Sequence, residues 1–134
     1  MGVGVSGANV ADNWLKVLSG TDFTAPAGCY VQLHTENPGA SGTSASSVET
    51  TRKQVSWNGT ITSHVLSATS VPSWTSWPSG ANGETVSHIS VWSASSNGTF
   101  LFSGVLAVSK TVNTGDTLTL STLTVAIPDA SIAS

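Results

Sequence analysis

Val86-Ser-His-Ile-Ser-Val-Trp-Ser-Ala94, Ser95-Ser-Asn-Gly98 and Thr99-Phe-Leu-Phe-Ser-Gly-Val-Leu-Ala-Val108 read as a strand, a turn and a second strand. Apolar residues crowd both flanks, and Asn97-Gly98 supplies the two positive-φ residues that a tight hairpin demands. Ile89 and Val91 share one face of the first strand. His88, Ser90 and Trp92 share the other, which leaves Trp92 half exposed on this reading. Downstream, Asn113-Thr-Gly-Asp116 is a further turn into Leu118–Ile127. There Leu118 and Leu120 have one parity, whereas Leu123, Val125 and Ile127 have the other. The inward phase slips near Ser121-Thr122, as a bulge or a strand that changes sheets requires.

Upstream of the hairpin, Cys29-Tyr-Val-Gln-Leu-His34 alternates, with Cys29, Val31 and Leu33 facing inward. Residues 37–47 are a loop by composition. Gln54–Trp57, Asn58-Gly59 and Thr60–Leu66 carry a second hairpin signal. Val71–Gly83 is another loop, with Trp74 and Trp77 set between Pro72 and Pro78. One helix is predicted over Ala8–Leu18, where Val10, Trp14, Val17 and Leu18 form a stripe that places Trp14 in the core. Ser6 or Asn9 caps its start and Gly20 stands at its C′ position. Residues 1–7 form an arm, either a disordered tail or one that orders on a neighbour. The expected fold is mainly β: an antiparallel β-sandwich of six to eight strands with one short N-terminal helix, a single domain over 8–134 behind the arm.

Composition excludes several functions. The chain has 134 residues, only 8% of them charged, and a net charge of −3. Serine and threonine make up roughly three residues in ten, well above ordinary usage. Lys16, Arg52, Lys53 and Lys110 are the only basic side chains and form no stripe, so nucleic acid is excluded as a partner. No apolar run reaches membrane-spanning length, so no membrane partner is expected, and no secretory leader is evident. Cys29 is the sole cysteine, which permits neither an internal disulfide nor a thiolate zinc cage.

The chemistry-bearing residues do not assemble into a motif. His34 and Glu36 share a strand face and could hold two corners of a metal site, but His64 and His88 stand at no ligand spacing to them, so no metal and no cofactor is expected. No Gly-x-Ser-x-Gly elbow is present, the carboxylates (Asp129 the last of them) are scattered, and Cys29 reads as a small buried hydrophobe. No catalytic residue is assigned. Asn58-Gly-Thr and Asn97-Gly-Thr match the glycosylation pattern but coincide with turns, which explain them. Trp74 and Trp77 pack as loop-closing core residues, anchor a neighbouring subunit, or stack on sugar rings. With Trp92 and the arm residues Val3 and Val5, they are the candidate partner contacts.

Asn13-Trp-Leu15, Thr21-Asp-Phe-Thr-Ala-Pro-Ala-Gly-Cys-Tyr-Val-Gln-Leu-His-Thr-Glu-Asn-Pro-Gly39, Ser87-His-Ile-Ser-Val-Trp92, Phe100-Leu-Phe-Ser-Gly-Val-Leu106 and Ser109-Lys-Thr-Val-Asn-Thr-Gly-Asp116 together resemble small β-sandwich virion proteins of tailed bacteriophages, the tail-fibre, minor tail and head-decoration type. The resemblance runs over roughly Val10 to Ile127. It implies a non-enzymatic structural protein of the virion, assembled in the bacterial host cytoplasm. The first placement it suggests is capsid decoration, a minor capsid protein that binds the major capsid protein and copies of itself. The alternative is a tail-fibre or tail-tip module that binds a host-surface glycan.

Overall fold

The computed structural model describes residues 2–127. Its strands are β1 (Cys29–His34), β2 (Lys53–Trp57), β3 (Val65–Ser70), β4 (Ser73–Trp74), β5 (Glu84–Trp92), β6 (Phe100–Val112), β7 (Leu118–Thr119) and β8 (Thr124–Ala126). Six of them form one antiparallel sheet in the order β6-β5-β1-β2-β3-β8, and β4 pairs with β7 in a two-stranded sheet. Val31, Leu33, Val55, Val86, Ile89 and Val91 of the large sheet meet Trp74 and Leu118 of the small one in a common hydrophobic core. The large sheet also curls, because Phe102 on one outermost strand and Val125 on the other line the same cleft.

The β5–β6 hairpin forms where the Asn-Gly signal places it. Asn97 and Gly98 have φ of 53° and 70°. A Cβ on Gly98 would lie 2.9 Å from Ala94 Cβ, so conformation and space both demand glycine there. The parity slip after Leu120 is a change of sheet: β7 joins β4, and β8 joins β3 on the far edge. In the β2–β3 hairpin the structure departs from the expected turn. Asn58 Oδ1 accepts from the Thr60 amide and opens a wider connection. The tight turn is Ser63-His64, at φ 50° and 61°, between Thr62 and Val65, which exchange both backbone bonds. The second strand of this hairpin is therefore Val65–Ser70 and not Thr60–Leu66.

The N-terminal helix occupies the expected span in two parts, a π-helical turn over Gly7–Ala11 and α1 (Asp12–Leu18). Ser6 caps it: the Ser6 carbonyl accepts from both Val10 and Ala11, and Ser6 Oγ accepts from the Asn9 amide. Asn9 Nδ2 donates to the Phe100 carbonyl at 2.9 Å and ties the first turn to β6. Beyond that anchor the helix leaves the sheet. Val10 is buried, but Trp14 is 43% exposed, so the expected core position of Trp14 is corrected. Before the helix, the arm lies along the outer edge of β6. Ser6 N–H donates to the Leu101 carbonyl at 2.7 Å, and Ser103 N–H donates to the Gly4 carbonyl at 2.8 Å. The arm thus orders on its own chain; Met1 and residues 128–134 lie outside the described residues.

Further along the same edge, β6 bulges. Val86 pairs with Lys110 and His88 with Val105, so five steps of β6 stand against two of β5. On the sheet's other face, loop 37–47 folds down over Phe100. A Cβ on Gly42 (φ +75°) would lie only 2.3 Å from that ring. Trp92 packs tilted against Phe100 at 5.6 Å and carries the Arg52 guanidinium 3.8 Å above its own ring. Trp92 is therefore buried and not half exposed: the face that parity assigns to solvent is roofed by a loop and an arginine.

Candidate functional site

The tryptophans singled out from sequence are interior. Trp74 is 0% and Trp77 1% exposed. Each indole N–H is satisfied inside the chain: Trp74 Nε1 donates to the Thr51 carbonyl at 2.8 Å, and Trp77 Nε1 to Glu84 Oε1 at 3.0 Å. Glu84 also accepts from Ser47 Oγ and the Val48 amide, so one carboxylate holds both long loops against the sheet. With Trp92 buried as well, none of the three presents a ring to a partner or a sugar. Of the candidate contacts, Val3 and Val5 are the exposed ones.

The polar candidates form one sealed relay. His34 and Ser90 are both fully buried. His34 Nδ1 lies 2.8 Å from the Ser44 carbonyl, an acceptor only, so Nδ1 carries the proton. His34 Nε2 then accepts from Ser90 Oγ at 2.7 Å, and the same hydroxyl accepts from Trp92 Nε1 at 2.8 Å. Burial pushes the His34 imidazole below its ordinary pKa, against the opposing pull of the Ser44 and Ala45 carbonyls. A serine beside a histidine base resembles half of a hydrolytic site, but no substrate reaches a pair with no exposed surface. His88 sits opposite His34 in the β1–β5 register and shares a 2.8 Å contact with Ser87 Oγ. His64 stands in the β2–β3 turn, and Glu36 is exposed. Among the described residues no three His, Cys, Asp or Glu side chains cluster as a metal site.

What the surface does present is apolar. An open cleft of about 250 Å³ lies beneath the N-terminal helix, and the eleven described residues that line it are all apolar. Val10 and Trp14 of the helix form one wall, and Phe23 and Pro26 of the segment behind it another. Val5 of the arm and residues from β1, β2, β3, β6 and β8 complete the lining. Cys29 belongs to this lining: it is a free thiol, partly buried, that packs against the hydrophobic core from the cleft side. Beside the cleft, α1 buries none of its side chains. Leu15 is 64%, Val17 53% and Leu18 86% exposed. At 100° per residue, Lys16 lies about 160° around the helix from Trp14 and about 100° from both Leu15 and Val17, whereas Asp12 lies about 60° from Leu15 and borders the apolar face. What the face offers is exposed apolar area. Four such side chains at roughly 100 Å² each correspond to about 10 kcal/mol of gross hydrophobic free energy if covered, before association costs.

Trp14, Val17 and Leu18 are the surface residues that the stripe reading assigns inward, and Leu15 is one it leaves out. A signal for them exists. Leu15 falls 100° from Trp14, so the apolar arc is wider than one buried stripe needs on so short a helix.

Fold and site together define a small antiparallel β protein with an exposed apolar face at its N-terminal end. Residues 7–127 match the family described as Podophage GP4 fiber I protein gp80, and the chain belongs to that family of bacteriophage virion fibre proteins. No curated protein matches the chain. The family description is that of a fibre, so it fits the tail-fibre alternative better than capsid decoration.

Proposed function

We propose that the protein is a non-enzymatic structural component of a phage tail fibre, assembled in the host cytoplasm, and that it joins its virion partners through the face made by the arm, α1 and the apolar cleft. The observation that carries this is a helix with no buried side chain of its own, set beside a cleft lined only by apolar groups. Left in water, such a face weakens the monomer's solubility; covered, it is a contact. The sealed His34–Ser90 pair supports a role without catalysis, and family membership supports the fibre. Sugar stacking by Trp74, Trp77 or Trp92 has no support in their burial.

Gold-labelled antibody on intact virions, read by electron microscopy, tests the placement. Label at the tail is expected, and label confined to the head refutes it. Complementation tests the face: a Leu15→Glu/Leu18→Glu chain is expected to fold, by its circular dichroism, but to be missing from particles. Normal incorporation of that variant removes the attachment role.

A further inference from the structure

We infer that the occupant of this face is a second copy of the same chain, with each α1 lying across the cleft of the other about a two-fold axis. The inference rests on the helix and cleft being an attachment face and names what attaches.

The chain carries both complementary halves. The cleft holds the volume of roughly eight waters, and with no polar lining it gives water no partners. Leu15, Val17 and Leu18 are apolar side chains that its own cleft leaves unused, because the helix contributes Val10 and Trp14 to that lining. Ridge and cleft are also adjacent on one face, with Trp14 common to both. A dyad passing near Trp14 therefore satisfies both exchanges at once and closes the pair. A head-to-tail chain would need the two halves on separate faces.

Size and charge agree. A stable interface covers about 800 Å² on each partner, somewhat over half of it apolar. Val5, Trp14, Leu15, Val17 and Leu18 together expose roughly that apolar area, at about 70–150 Å² each. Lys16 points away from the face, and Asp12 borders it beside Leu15, at the rim where water screens the carboxylate. The other route to self-association, strand addition at the β6 edge, is obstructed by the arm and by the bulge between Val105 and Lys110.

The test uses the purified full chain. Sedimentation or light scattering at micromolar concentration is expected to give twice the 13.6 kDa chain mass. Leu15→Glu/Leu18→Glu is expected to weaken the dimer by at least about a hundredfold, because a buried carboxylate has no partner there. Its near-ultraviolet circular dichroism should match wild type, which separates lost docking from lost folding. Cys29 serves as a built-in reporter in the cleft. Oxidised Leu18→Cys protein is expected to form covalent dimers joined between positions 18 and 29, and to lose them when Cys29→Ser is added. Dimers joined 18 to 18 overturn the seating of the helix in the cleft. A wild-type chain that stays monomeric near 100 μM overturns the inference. If that monomer still enters virions, the fibre reading stands and another virion protein fills the face. If the chain dimerises but is absent from virions, the fibre reading falls and the dimer remains.

Discussion

Replacing Ser90 with alanine removes one oxygen atom and strands two buried groups. The Trp92 indole N–H loses its acceptor at 2.8 Å, and His34 Nε2 loses its donor at 2.7 Å. Both rings lie under loop 37–47 and Arg52, where water does not replace the hydroxyl. A buried donor or acceptor left unsatisfied costs roughly 1–3 kcal/mol, so Ser90→Ala should cost about 2–5 kcal/mol. Loss of the oxygen leaves little empty volume, so the polar penalty dominates. Against a total stability of about 5–15 kcal/mol this is a large fraction. At roughly 3–5 °C per kcal/mol for a chain of this length, the melting temperature should fall by about 6–25 °C. The assay is urea and thermal denaturation at fixed protein concentration, with exposed Ser95→Ala as control, expected within about 0.5 kcal/mol of wild type. A Ser90→Ala protein as stable as that control would refute the relay. So would a loss matched by Ser95→Ala.

The same relay sets a pH dependence. Unfolded His34 takes a proton below about pH 6.5, whereas burial holds the folded imidazole neutral to lower pH, so the unfolded state binds more protons and stability falls as pH drops below about 6.5. The urea midpoint should decline between pH 7.5 and 5 more steeply in wild type than in His34→Gln, and parallel curves would remove His34 from the account. Trp77→Ala should cost about 3–5 kcal/mol in the isolated chain, through the lost volume and the freed Glu84 oxygen. A change under about 1 kcal/mol would return Trp77 to the surface. Gly42→Ala should cost about 1–3 kcal/mol, since φ is +75° and the new methyl meets the Phe100 ring. Denaturation midpoints equal to wild type would show that the loop does not press on Phe100.

Short-range signals survived into the structure where their physics is local. Asn97-Gly98 sets its turn by backbone freedom alone, and the parity break near Ser121 could only be resolved by moving the strand between sheets. Ser63-His64 forms an equally tight turn with no glycine or asparagine, so nothing in its residue types announced it. Parity separated the two faces of β5 correctly, but it does not say that loop 37–47 and Arg52 return to cover the polar one. That covering is a long-range event, and it is why Trp92 was misjudged. For Trp74 and Trp77 the sequence leaves core packing and outward contact both open, because a Pro-bounded loop reads the same in either case; the structure takes the core reading. The contact face was half legible. Val3 and Val5 were named, but the helix stripe was given to the core because a stripe states that something is covered without stating by what.

The distortion in β6 bears on how such a chain survives being made in quantity. A flat outermost strand of thirteen residues is a template on which identical molecules could stack into cross-β fibrils, each ladder extending the next without limit. Three surplus residues bend the template out of register, and the Lys110 ammonium beside them makes a neighbour's approach costly. Extension of the ladder from this edge is obstructed within the fold itself, before any partner arrives.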